Sequence, residues 1–216
     1  MTTHEPFDFS AIEDFDAHIS LSIPNYSGLM DVFTALFLEY MPPKGKCIDI
    51  GCSTGSLLNS LCELTEGDYI GVDNVRMAGM TNTFTFKEED CIDYLKNLES
   101  ADIIISSFTL QFLGKHKRVQ AVNELTRLVK GGATLLVAEK VYYEDAKVNT
   151  VMWREHIRQK RKAFTDTEIL DKDYSLFGSM FCETQRSLDE ELKSIGLTSQ
   201  VWQSYNFKGF IITPRV

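Results

Sequence analysis

Short, almost wholly apolar runs alternate along this chain with longer stretches whose apolar residues recur every three or four positions. Lys46–Ile50, Tyr69–Val72, a segment near Thr83–Phe86, Asp102–Ser106 and Thr134–Ala138 read as strands. The fourth run, Asp102-Ile103-Ile104-Ile105-Ser106, is apolar on both faces, as a central parallel strand must be. Between the strands lie helical patterns. Ser27 is placed to cap a helix running to Met41, stopped by Pro42-Pro43. Ser56–Leu61 follows the first strand, and Lys117–Val129 ends at Lys130-Gly131-Gly132. Asp14–Ser22 reads as irregular or as a helical lead-in. The link between the second and third strands is too short for more than one helical turn. Glu144 to about Asp173 is a long helical stretch that interrupts the alternation, and Ser187–Ile195 is a last crossover helix closed by Gly196. Ser199–Tyr205 and Gly209–Thr213 are joined so tightly that they must pair antiparallel. The pattern is α/β: a mostly parallel sheet with an antiparallel C-terminal hairpin.

Ligands of such sheets bind outside the carboxyl ends of the strands. Those ends carry the chemistry of this chain. The first strand empties into Asp49-Ile50-Gly51-Cys52-Ser53-Thr54-Gly55. Gly51 and Gly55 let the backbone turn sharply and let a ligand approach it. Taken alone, the segment is also compatible with an ordinary strand–helix turn. A dinucleotide loop would read G-x-G-x-x-G, a spacing that is absent, and Asp49 would repel a pyrophosphate. An acid there suits a cation. S-adenosylmethionine (SAM) carries an ammonium and a sulfonium and no phosphate. Asp73 ends the second strand, where an acid accepts from both ribose hydroxyls of an adenosine, or simply caps a helix. Asp90 follows the third strand, with Cys91 next to it, and Ser107 follows the fourth. Glu144–Asp173 would lie above these ends as a substrate cap.

The D-x-G-x-x-x-G pattern after a strand resembles the first motif of class I SAM-dependent methyltransferases. That resemblance implies a Rossmann-like sheet of seven strands. It also implies an adenine amino group accepted by Asp90 and ring contact from the Cys91 amide. A closer likeness rests on Ile23-Pro24-Asn25-Tyr26-Ser27, Gly51-Cys52-Ser53, Val72-Asp73-Asn74, Phe108-Thr109-Leu110-Gln111-Phe112-Leu113 and Glu139-Lys140. Glu144-Asp145-Ala146-Lys147, Thr167-Glu168-Ile169 and Tyr205-Asn206-Phe207 continue it in order. Together they resemble the carboxy-SAM synthase family, which is dimeric. That family uses prephenate to carboxylate the SAM methyl carbon, for the oxyacetyl wobble uridine of tRNA. The resemblance implies cofactor contacts from Tyr26, Asp49, Gly51, Cys52, Ser53, Gly55, Asp73, Asn74, Asp90, Cys91 and Ser107. Two positions depart from the family. Ser107 replaces an asparagine, and Asp173 falls where the family holds the new carboxylate with an arginine. A carboxylate about 4 Å from Asp173 would meet roughly 4 kcal/mol of repulsion at an effective dielectric near 20. Arg154, Arg158, Lys172, Arg186 and Tyr174 are the substrate-side candidates, the first four as replacement cations.

Composition narrows the partners. The 216 residues make one domain, with 1–42 as a helical lead-in and 144–182 as the cap insertion. Met1–Asp8 has neither a basic region nor an apolar run, which argues against a signal peptide, and no segment reads as a membrane span. Five scattered cysteines fit reduced thiols in a cytoplasm, and the four histidines fall at no metal-ligand spacing, so no metal is expected. A net charge of −9 disfavours direct nucleic-acid binding. Arg154, Arg158 and Arg161 stack at helical spacing, as a solvated helix face or as a site for an acidic small molecule. Three readings follow: methyl transfer from SAM to a small molecule, carboxy-SAM synthesis, or a SAM-binding regulatory subunit without turnover. No residue stands out as a general base.

Overall fold

The computed structural model describes residues 14–77 and 80–215. Met1–Asp8 and the start of the lead-in lie outside the described residues. The lead-in holds two helices, α1 (Phe15–Ser22) and α2 (Tyr26–Tyr40). Asn25, in the left-handed region at φ 59°, makes the corner between them, so Ser27 lies inside α2 and does not cap it. The chain then runs β1 (Lys46–Ile50), α3 (Ser56–Cys62), β2 (Asp68–Asp73), β3 (Thr85–Glu88) and α4 (Cys91–Asn97). Next come β4 (Ile103–Ser107), α5 (Lys115–Lys130) and β5 (Thr134–Lys140). The helices α6 (Ala146–Lys160), α7 (Asp166–Leu176) and α8 (Gln185–Ile195) lead to β6 (Leu197–Ser204) and β7 (Phe207–Thr213).

Seven strands form one sheet in the order β3-β2-β1-β4-β5-β7-β6. The first five pair parallel, and β7 inserts antiparallel between β5 and β6. Alternation of side chains explains the apolar runs. Ile104, Leu135 and Val137 point to one face, against Leu125, Leu188 and Leu192 of α5 and α8. Ile103, Ile105, Leu136 and Ala138 point to the other, against Leu29, Phe33 and Phe37 of α2 and Leu58 of α3. Both faces are buried, so no strand of the central four can afford a solvent side.

Two expectations needed revision. The Glu144–Asp173 stretch is two helices, because Thr165 starts a new one. Its side chain accepts from the Glu168 amide while Glu168 returns to the Thr165 amide, a reciprocal cap. A short helix, α4, was not anticipated. Asp90 nucleates it by accepting from the Ile92 amide at 2.9 Å.

Candidate functional site

Strand order reverses at β1, which has β2 on one side and β4 on the other. Crossovers leave β1 and β4 in opposite directions, and a crevice opens at their carboxyl ends. The glycine loop forms its floor. Gly51 stands at φ +71° and Gly55 at φ +73°, with Ser53 also left-handed at φ 51°. Amides of Gly51 and Cys52 donate to the Val72 carbonyl at 2.7 and 3.2 Å, which binds the loop to β2. The Ser53 amide donates to Asp73 at 2.9 Å. From the turn after β4, the Thr109 hydroxyl donates to the Ile50 carbonyl at 2.9 Å. A side chain at Gly51 would meet that Thr109 hydroxyl at 2.3 Å, and one at Gly55 would meet the Phe84 ring at 2.2 Å. Both glycines are therefore demanded by the protein's own packing. Only Gly51 also faces the crevice.

The crevice is a cavity of about 450 Å³, the size of a small-molecule site. Tyr26, Asp49, Gly51, Cys52, Ser53, Asp73, Asn74, Cys91 and Ser107 all line it. Gly55 and Asp90 do not. The Asp90 carboxylate is committed to the Ile92 amide and to Lys117, whose ammonium lies 2.8 Å away. The structure gives Asp90, expected to accept from an adenine amino group, two partners within the chain and seats it outside the cavity lining.

The cavity has two electrostatic ends. At the β1–β2 end Asp49 is 4 % exposed, and its Oδ1 has no hydrogen-bond partner among the described residues. Burial, then the neighbouring Asp73, pushes its pKa up to about 8. Ser53 Oγ and Ser107 Oγ are buried and equally without partners among the described residues. Buried polar atoms are normally satisfied. An acid and two hydroxyls left over around one cavity fit a ligand that brings an ammonium and hydrogen-bonding groups, which is what SAM carries.

The opposite end, under the cap, is cationic. Lys140 at the end of β5, Lys160 at the end of α6 and Lys172 in α7 all line the cavity, with His18 and His156. Asp173 is the carboxylate among them, 3.8 Å from Lys160. Burial, then Lys160, lowers Lys172 to about 8. Burial lowers His156 to about 4, and its Nε2 sits 2.9 Å from the Ser22 carbonyl. The cap is tied down through Gln111: the Phe181 amide donates to its carbonyl at 2.6 Å, and its side chain accepts from the Lys140 amide at 2.8 Å. Beneath it, fully buried Glu139 accepts from Gln111 and pairs with buried Arg118 at 3.0 Å.

Of the substrate-side candidates, Lys172 alone lines the cavity. Arg158 pairs with Glu155 at 2.7 Å in solvent, Arg154 is exposed, and Tyr174 is 68 % exposed. Helix geometry is the reason. His156 and Lys160, one turn apart, define the buried stripe of α6, so the arginines point away. His18, Lys140, Lys160 and Thr109 escaped the sequence reading. The spacing of His156 and Lys160 was a usable signal; His18 had none.

Residues 47–132 match a family profile described as a methyltransferase domain. A carboxy-S-adenosyl-L-methionine synthase of Idiomarina loihiensis is 28 % identical over 222 residues, covering 95 % of this chain and 91 % of its own length. The enzyme of that name from Campylobacter lari is 27 % identical over 216 residues, covering 95 % and 92 %. Among solved structures, the plantazolicin methyltransferase BpumL with SAH superposes with a TM-score of 0.62 at 12 % identity, covering 93 % of this chain and 88 % of that one. The magnesium protoporphyrin IX methyltransferase of Synechocystis PCC 6803 with bound SAM gives 0.56 at 14 %, covering 96 % and 93 %. The fold is that of the class I SAM-dependent methyltransferases.

Proposed function

We propose that this SAM-dependent transferase of methyltransferase fold acts on a small molecule held between the strand ends and the α6–α7 cap. One observation carries the reading: a single cavity with an unpartnered buried acid, Asp49, at one end and three lysines at the other. Asp49 takes the ligand's ammonium. Asp73 accepts from the Ser53, Asn74 and Val75 amides and turns its remaining lone pairs to the ribose hydroxyls. Cys91, at the start of α4, lies against the base. Ser53, Ser107 and Tyr26 complete the cofactor end. Bound SAM supplies an activated methyl on a sulfonium. The chain's own part is to align an acceptor with it and to exclude water, which needs no dedicated base. Calorimetric titration with SAM tests the reading, and absence of binding by folded protein refutes it.

Carboxy-SAM synthesis is the second reading, favoured by relatives of that name that align over 95 % of the chain. The Asp173 objection is weaker than sequence alone suggests. Lys160 lies 3.8 Å from Asp173 and Lys172 is its chain neighbour, so local charge still favours an anion. The mass of the ligand carried by purified protein separates the readings, since SAM and carboxy-SAM differ by one carbon dioxide. The product of the second reading would serve tRNA wobble-uridine modification without this chain touching RNA. Exposed Leu170 and Phe177 on the cap, 65 % and 81 % accessible, support a homodimer, which sedimentation tests. Reduced cysteines support a cytoplasmic setting. No described helix is long and apolar enough to cross a membrane.

A further inference from the structure

The helix α1 lies between two voids. His18 and Ser22 line the crevice and also a second cavity of about 450 Å³, bounded by α7 and the turn that joins it to α6. Of the eight residues Phe15–Ser22, Ser22 alone is buried, and Ile19 is partly so. The next helix, α2, is anchored in the core by Leu29, Phe33 and Phe37. A helix with voids on both sides and one buried residue has little apolar contact to lose, so it detaches far below the cost of global unfolding. Its pivot is Ile23-Pro24-Asn25. Ile23 is buried and Asn25 turns the chain at φ 59°, so motion is absorbed where α1 joins the fixed body. Three polar contacts seat α1, and they reach both poles of the site. The Thr54 hydroxyl of the glycine loop donates to Asp16 at 2.8 Å. On the cap side, the Lys172 ammonium donates to His18 Nε2, and His156 Nε2 donates to the Ser22 carbonyl at 2.9 Å. Asp16 is exposed to solvent and also part of the crevice lining, so it stands at the mouth.

Resting on the cofactor reading above, we infer that α1 is a lid. It swings on Ile23–Asn25 to admit and release the cofactor, and the Asp16–Thr54 bond is its latch. Closure also links the two poles. A bound cofactor holds the glycine loop, and with it Thr54, in the position that seats Asp16. A seated α1 then offers His18 to Lys172 of α7 and the Ser22 carbonyl to His156 of α6. Occupancy of the acidic pole therefore favours a closed cap, and the cofactor binds before the cap settles.

The test is hydrogen–deuterium exchange of the full chain with and without saturating S-adenosylhomocysteine, joined to the rate at which radiolabelled S-adenosylhomocysteine leaves into an excess of unlabelled ligand. In free protein the α1 amides should exchange at least about a hundredfold faster than those of Leu29–Phe37, and the ligand should slow them at least about tenfold. The slowing should extend to α7. Asp16→Ala and Thr54→Val remove the latch from either side, and the bond is exposed, so neither threatens folding. Each should speed ligand exit by about five- to tenfold and shrink the slowing in α7, and the double variant should do no more than either alone. Free-protein α1 amides as slow as those of α2 overturn the lid whatever the ligand. No slowing of α1 by the ligand, or exit rates untouched by both variants, overturns it as well. Single-variant effects that add in full overturn the latch, since Asp16 would then act on the ligand and not on the loop. Slowing in α7 that is the same in wild type and variants overturns the link to the cap. Wild type that binds no S-adenosylhomocysteine in an equilibrium titration refutes the cofactor reading, and α1 exchange in the free protein still decides the lid.

Discussion

Replacing Asp49 with Asn should make the ligand-free protein more stable and a poorer binder at once. The Asp49 carboxyl is 4 % exposed and titrates near 8, because burial and then Asp73 disfavour its charge. Its folded pKa is raised above the ordinary carboxylate value, so between about pH 4 and pH 8 the folded state holds a proton that the unfolded state has lost. Stability from this group therefore falls as pH rises through that window, by about 1.4 kcal/mol per pH unit, or roughly 4 kcal/mol by pH 7. Asp49→Asn removes the dependence. Binding has the opposite sign. A cationic ligand needs the ionised form, so wild type must release about 0.9 proton per ligand at pH 7, and affinity should rise about tenfold per pH unit from roughly pH 5 to 7. Tyr26 and Cys52 are raised and stay protonated, and His18 and His156 are lowered. Asp73 is also raised by burial and couples to Asp49, so the proton count belongs to that pair, and Asp49→Asn isolates the Asp49 share. Calorimetry with S-adenosylhomocysteine in two buffers of different ionisation enthalpy counts the protons, and urea melts at pH 5 and pH 7 give the stability. The variant should bind about 10- to 100-fold more weakly, with no proton released. Unchanged affinity in the variant, or no proton release by wild type, would refute the reasoning.

Asp73→Ala should weaken SAM by roughly 1.5–3 kcal/mol through lost charge-assisted bonds, read by calorimetry against an intact circular dichroism spectrum. Gly51→Val should lower both the melting temperature and SAM affinity, because the added side chain meets Thr109 at 2.3 Å from a backbone at φ +71°; a variant with wild-type melting would show that the loop relaxes freely. Arg118→Met leaves Glu139 buried without its partner and should cost about 3–5 kcal/mol of stability in denaturant melts, whereas Arg118→Met with Glu139→Leu should recover much of it.

Strand positions and pairing direction were legible because they are local properties written in period-two or continuous apolar runs. β1 falls at Lys46–Ile50 as read, and the tight link at Tyr205-Asn206 forces β6 and β7 antiparallel. The gathering of Asp49, Gly51 and Asp73 was legible for the same reason: they stand within a residue or two of strand ends, and a parallel sheet brings its strand ends to one edge. The choice of partner was not legible where a side chain had two on offer. Asp90 reads as a ligand acceptor, yet it caps α4 and pairs with Lys117, twenty-seven residues further along. The arginines of α6 read as a basic site, but the helix turns its His156–Lys160 stripe inward instead.

The sequence by itself determined the layer architecture, the crevice and the acidic pole of the site, since each depends on residues close together in the chain. Only the tertiary structure decided the cationic pole. His18, Lys140, Lys160 and Lys172 come from four different elements, α1, β5, α6 and α7. Nothing in their spacing links them. They meet because the α6–α7 cap folds back over the strand ends, held through Gln111, and because α1 closes the far side. Long-range packing sets which lysines lose their water, and that loss of hydration is what makes them chemically distinct from the other lysines of the chain.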